Sequence, residues 1–185
     1  RLFERAETGR YDGGFQSFND AVALAIDMAG QAYERDGHLS GISTGIMSLD
    51  GKMGGLQRSD LIVLAGRPGM GKTSLVTNIA WNIAHAYQWE PQADGSPKAV
   101  NGGVVGFYSL EMSSEQLATR IMSEQTEVSS SKIRRGDISE TEFEKLVGFS
   151  QTMQKVPLFI DQTGGISIAQ LSARARRLKR QRGLD

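Results

Sequence analysis

Between Arg1 and Ser40 the apolar positions Val22, Ile26, Ala29 and Tyr33 recur at intervals of four, three and four residues, the repeat of a single helical stripe. Asn19 suits the N-cap of this helix and Gly37 its stop. One stripe cannot enclose a core, so the helix is expected to lie against the rest of the chain or against another molecule. Gly41 to Asp60, GISTGIMSLDGKMGGLQRSD, is dense in glycine and reads as a compact series of turns. Leu61 to Leu64 is a branched-aliphatic run, the pattern of a short strand buried on both faces. Leu75, Val76, Ile79, Ala80 and Ile83 then mark a helix from about Thr73 to Tyr87. Trp89 to Gly103 mixes prolines, glycines and polar residues without periodicity and is expected to form a mobile surface loop. Val104 to Leu110 reads as a second buried strand, which delivers Glu111 to its carboxyl end.

Capping boxes announce three further helices. In each, a serine side chain accepts from the amide three residues on, and that residue's side chain reaches back. The pairs are Ser113 with Gln116, Ser139 with Glu142, and Ser167 with Gln170. Val156 to Ile160 falls between the last two and should be a third strand, with Pro157 near its start, where a missing N–H matters least. Strands alternating with helices imply an α/β fold, a parallel sheet covered by helices on both faces. The expected division is a tail and helix over 1–40 and the α/β domain over 41–185. Such sheets bind ligands beyond the carboxyl ends of their strands.

One such end is LIVLAGRPGMGKTSLV, Leu61 to Val76, a turn from strand to helix. Gly66, Gly71, Lys72 and Thr73 fit G-x-x-x-x-G-K-[ST], in which backbone N–H groups curl around phosphate oxygens that no side chain could approach as closely. Arg67, Pro68, Gly69, Met70 and Ser74 complete the candidate nucleotide-binding loop. The following helix adds its unpaired N–H groups and roughly half an elementary charge, and Lys72 adds a full one. Thr73 can place its hydroxyl on magnesium, which prefers oxygen ligands. Mg-ATP is therefore the expected ligand. A dinucleotide-binding turn is the rival, but it wants an acidic residue about 20 positions on. Here the next strand ends at Glu111, much too far along.

Composition narrows the remaining classes. At 185 residues the chain has room for one domain with a core, or for an incomplete piece of something larger. Lys plus Arg equal Asp plus Glu at 21 each, so no bulk charge argues for nucleic acid or a membrane surface. With no cysteine there is no disulfide framework and no thiolate metal site. His38 and His85 lack metal-ligand spacing. No apolar run approaches the roughly 18 residues of a membrane span, and no secretory signal opens the sequence. A cytoplasmic protein is expected.

Hydrolysis needs a group that orients or deprotonates water in line with the terminal phosphate, and Glu111 is placed for that. Asp161, at the end of VPLFID, looks like the aspartate that holds magnesium through water in phosphate-loop enzymes. A later strand, expected where the chain stops at Asp185, is the competing source of that aspartate. The last helix carries Ile168, Leu171, Ala175 and Leu178 on one stripe, with Arg174, Arg176, Arg177, Lys179, Arg180 and Arg182 around the rest. It reads as a solvated face, since no aromatic residues are interleaved for base stacking.

TGIMSLD (Thr44 to Asp50), GGLQRSDLIVLAGRPGMGKTSL (Gly54 to Leu75), FYSLEMSSEQLATRIMS (Phe107 to Ser123) and PLFIDQTGGISIAQLSARARRLKR (Pro157 to Arg180) resemble the bacterial replicative DNA helicase family, DnaB type. The resemblance implies a RecA-like ATPase fold truncated before its later strands and preceded by a linker helix. It implies a homohexameric ring that encircles single-stranded DNA and hydrolyses ATP between neighbours, with primase and a helicase loader as further partners. Lys72 and Thr73 match the phosphate and magnesium ligands, and Glu111 the water-activating glutamate. Asp161 does not match the metal aspartate. That residue, the arginine finger and the DNA-contacting loops are expected beyond Asp185. Arg1 to Arg35 resembles the tail of the N-terminal region plus the linker helix that docks on an adjacent subunit. The alternatives are another RecA-like ATPase, such as a recombinase, and a binding module whose nucleotide only orders an assembly interface.

Overall fold

The computed structural model describes residues 17–34, 39–92 and 97–184. The chain divides into two compact units, Arg1–Ser40 and Gly41–Asp185.

The first unit holds helix α1, Phe18–Glu34. Its cap is Ser17 and not Asn19: the Ser17 hydroxyl accepts from the Asp20 N–H at 3.2 Å and donates to the Asp20 carboxylate at 2.7 Å. The reciprocal pair three residues apart satisfies a helix-end donor that Asn19, already inside the first turn, cannot reach. Phe18, Val22, Leu24 and Ile26 are exposed on this helix. Gly37 and the Tyr33 side chain lie outside the described residues.

The second unit begins with the glycine-rich turns. Ile42 and Leu56 form an antiparallel bridge around a short helix α2, Met47–Met53, which Gly54 ends in the left-handed conformation. Asp50 is buried there. Its carboxylate accepts from the Ser43 hydroxyl at 2.6 Å, the Thr44 N–H at 2.8 Å and the Thr44 hydroxyl at 2.7 Å. Burial opposes its charge, but the bonds from Ser43 and Thr44 outweigh burial and hold the carboxyl below its ordinary range. Asn82 donates to the Thr44 carbonyl at 3.0 Å, tying this turn to helix α3, Lys72–His85. Gly45 beside it is required, since an added Cβ would lie 2.4 Å from the Asn82 side chain.

Leu61 to Leu64 departs from the expected buried strand. The run lies outside any ladder, and Leu61 is 90% and Leu64 44% exposed. An apolar run encodes a preference for burial, whereas a strand exists only where a neighbour completes its hydrogen bonds, and no described strand lies alongside.

The segment expected to be a loop after α3 is instead an antiparallel hairpin, β1 Gln88–Pro91 with β2 Pro97–Asn101. Trp89 faces Ala99 and Pro91 faces Pro97, with an irregularity between Gln88 and Trp89. The prolines close the ladder at its end, where a missing N–H disrupts little, and the exposed side chains of β1 leave no alternation to detect. Strand β3, Val105–Tyr108, pairs in parallel with β4, Leu158–Asp161, with Phe107 opposite Ile160 and Tyr108 opposite Asp161.

Helices α4, Ser114–Thr126, α5, Ser130–Arg135, and α6, Glu140–Thr152, follow β3, and α7, Ile168–Arg182, follows β4. All three capping boxes form as read from the sequence. Helix α3 packs against β3, β4 and α4, and α4 packs against α5 and α6. The core comprises Ala80, Trp81, Ile83 and Ala84 of α3, Leu117 and Ile121 of α4, Leu146 of α6, and Val104 and Val128. Each fully buried large side chain contributes about 1.5–3 kcal/mol by leaving water. Among the described residues no helix is long and apolar enough to cross a membrane.

Candidate active site

The candidate phosphate loop is built by two left-handed glycines. Gly69 and Gly71 have φ of +78° and +85°, values a side-chain-bearing residue adopts only at a cost of roughly 1–2 kcal/mol. Gly71 is also the N-cap of α3 and provides no capping side chain. The first helical hydrogen bond is from Leu75 N–H to the Gly71 carbonyl at 3.0 Å, so the N–H groups of Lys72, Thr73 and Ser74 remain as donors at the positive end of the helix. The Lys72 ammonium folds back over the loop and donates to the carbonyls of Gly66 at 2.8 Å and Arg67 at 3.0 Å. Two of its three donors are used there, leaving one for another acceptor. The Thr73 hydroxyl makes no hydrogen bond among the described residues, although its carbonyl accepts from Thr77 at 2.6 Å.

Such a cradle fits a polyphosphate: two glycines hold its left-handed turns, the first N–H groups of α3 have no helical partner, and one ammonium folds over the loop. No group of three or more acidic, histidine or cysteine side chains could hold a metal among the described residues. The Thr73 hydroxyl is an oxygen ligand that magnesium could take here, beside phosphate oxygens and water.

Glu111 stands past the carboxyl end of β3, exposed, on a turn made by Ser109. The buried Ser109 hydroxyl donates to the Met112 carbonyl at 2.6 Å and accepts from the Met112 N–H at 3.1 Å. Gln162, the residue after β4, accepts from the Ser114 N–H at 2.6 Å. Ser109, Glu111 and Gln162 line one open cavity of about 270 Å³. The phosphate-loop helix is joined to α4 where Arg120 donates to the Ser74 hydroxyl at 3.1 Å.

Asp161 is occupied otherwise. It accepts from Arg174 at 2.6 Å and from the Thr163 N–H at 3.0 Å. The Arg174 bond and then the Thr163 bonds hold its pKa at about 2. A carboxylate paired with a guanidinium on the next helix serves the β4–α7 connection. The second cavity, about 230 Å³ beside β3, β4 and α7, is lined by this same pair, by Arg177 and Gln181, and by apolar side chains. Arg176, Arg177, Lys179 and Arg180 have no ion pair among the described residues, whereas the Arg182 guanidinium lies 5.7 Å over the Phe159 ring.

Sequence reasoning singled out the loop and Glu111 but missed Ser109, Gln162 and Arg120. Ser109 is close to Glu111 in SLEMS and could have been read as a turn serine. Gln162 and Arg120 act across 48 and 46 residues, and no local pattern marks them.

The profile of the DnaB-like helicase C terminal domain matches residues 41–185. The chain belongs to the DnaB-like helicase C-terminal domain family. It is 38% identical over 184 residues to the replicative DNA helicase DnaB of Rickettsia typhi, covering 100% of this chain and 36% of that protein. Against DnaB of Geobacillus stearothermophilus the identity is 31% over 175 residues, covering 95% of this chain and 36% of the relative. The chain thus spans about a third of the length of these relatives.

Two solved structures share the fold. One, described as an ATPase domain, superimposes with a TM-score of 0.72 at 23% identity, over 91% of this chain and 54% of that one. A DnaB-like replicative helicase, described with its interactions with primase, gives 0.71 at 24% identity, over 97% and 39%. The RecA-like α/β fold expected from the sequence is therefore the fold of this DnaB-like domain.

Proposed function

We propose that residues 41–185 are the nucleotide-binding and catalytic part of a replicative DNA helicase, and that residues 1–40 are its tail and linker helix. The observation that carries the reading is the bare α3 N-terminus with Lys72 folded over the loop carbonyls, in an α/β unit that presents Glu111 past a strand end. The loop from Gly66 to Ser74 binds the triphosphate through backbone N–H groups. Lys72 neutralises its charge, and the Thr73 hydroxyl holds magnesium. When bound, Mg-ATP supplies the phosphoanhydride bond whose cleavage drives the motor. Glu111 orients the attacking water and accepts its proton.

The intact protein assembles as a homohexamer, with the apolar stripe of α1 seated on an adjacent subunit, and encloses single-stranded DNA. Membership of the DnaB-like family supports this, and the neighbour described with primase supports primase as a partner, a helicase loader being the other. A replication enzyme works beside the chromosome, in the cytoplasm. Asp161 has no part in metal binding. In the intact protein, Glu111→Gln is expected to abolish ATP turnover while ATP affinity stays within about threefold, a shift of less than roughly 1 kcal/mol. Unchanged turnover would instead favour a module in which nucleotide only orders an assembly interface.

A further inference from the structure

We propose that Gln162 is a positioning residue for Glu111, acting through the backbone N–H of Ser114. The inference rests on the reading of Glu111 as the water-activating residue. Glu111 is exposed and makes no hydrogen bond or ion pair of its own among the described residues, so the backbone that bears it decides where its carboxylate stands. That backbone is held at both ends. On one side Ser109 closes the turn onto Met112, and its N–H donates to the Asp161 carbonyl at 2.8 Å, fixing the turn to β4. On the other, the Gln162 side chain leaves the end of β4 and accepts from the Ser114 N–H at 2.6 Å.

Ser114 is the first helical residue of α4, and its N–H is one of the donors a helix cannot satisfy internally. The Ser113 side chain caps the Gln116 N–H, and the Gln116 side chain reaches back to the Ser113 N–H. The Ser114 N–H is thus left for a partner from elsewhere in the fold, and parallel pairing of β3 with β4 brings Gln162 to it. Gln162 is exposed. A solvent-accessible hydrogen bond of this kind adds little to global stability, yet it fixes one end of the short segment that contains Glu111. A displacement of about 1 Å at a reacting group can cost up to roughly 100-fold in rate.

The decisive perturbation is Ser114→Pro in the intact protein. Proline is accepted at the first position of a helix, and Ser113, at φ −71° and ψ 161°, already has the backbone that a residue before proline takes. The substitution removes the N–H and leaves α4 in place. Gln162→Met removes the acceptor at similar volume. Each is expected to lower kcat for ATP about tenfold with KM within about twofold and an unchanged melting temperature. The double variant should be no slower than either single one, and Gln162→Glu, which keeps an acceptor oxygen, should recover most of the rate.

Turnover within about twofold of the parent in either single variant, effects that multiply in the double variant, or no recovery with Gln162→Glu overturns the proposal. Glu111→Gln run alongside separates the two readings. If it abolishes turnover while Ser114→Pro and Gln162→Met leave turnover intact, only the positioning role falls. If Glu111→Gln itself retains full turnover, the reading of Glu111 fails and the proposal falls with it.

Discussion

Replacing Asp50 tests whether the TGIMSLD turn is held by hydrogen-bond acceptors. Thr44 is 0% exposed, and both its N–H and its hydroxyl end on one oxygen of Asp50, while Ser43 ends on the other. Asp50→Ala leaves two buried donors without an acceptor, at about 1–3 kcal/mol each, so a total near 2–6 kcal/mol is expected. For a domain of this size, at about 2–4 °C per kcal/mol, that lowers Tm by about 4–24 °C. Asp50→Asn can keep its carbonyl oxygen on Thr44 and turn its amide toward Ser43, whose hydroxyl then accepts. It should cost only about 1–2 kcal/mol, the difference between charged and neutral acceptors.

Denaturant melts of the three proteins, fitted with a common slope, measure both values. Because the folded Asp50 carboxyl is held below its ordinary range, the charge-dependent part of its contribution is complete above that range and is lost as pH falls through the folded pKa, so the gap between parent and Asp50→Ala should narrow in acid while the neutral carboxyl goes on accepting. Asp50→Ala within about 1 kcal/mol of the parent would refute the acceptor account. So would Asn as damaging as Ala, which would make the charge itself the operative feature.

Lys72→Met should weaken ATP binding at least about tenfold, read by titration with a fluorescent analogue, because the ammonium folded over the loop is lost. Its melting temperature should hold, since the Lys72 hydrogen bonds are exposed. Arg174→Gln should lower Tm at neutral pH. The Asp161 carboxyl is held near pKa 2 by Arg174, a depressed value whose stabilising contribution is present above about pH 4 and disappears as pH falls toward 2. The Tm difference from the parent should shrink over that window; a difference independent of pH would mean that the ion pair contributes nothing.

Elements whose signals are short in sequence were legible. The loop glycines, Lys72 and the three serine caps form contacts within a few residues, so their chemistry is written where they stand. The α/β class followed from alternation, and β3 and β4 formed close to where their apolar runs lie. The Trp89 to Gly103 segment was misread because hairpin pairing between exposed strands leaves no burial pattern, and prolines at the ladder's end resemble loop punctuation. Asn19 was preferred over Ser17 as a cap because residue type alone does not tell which side chain finds the free N–H.

By itself the sequence determined the glycine and lysine pattern of the loop, the three serine-boxed helix starts and the acidic residue after β3, because each depends on backbone and side chains only a few positions apart. The tertiary structure alone decided that Asp161 pairs with Arg174, that Asn82 locks onto Thr44 across 38 residues, and that Gln162 meets Ser114 across 48. It also decided that Leu61 to Leu64 stands outside any ladder. The reason is geometric: a strand's partner and a side chain's distant acceptor are set by register and packing, which the residues specify only together.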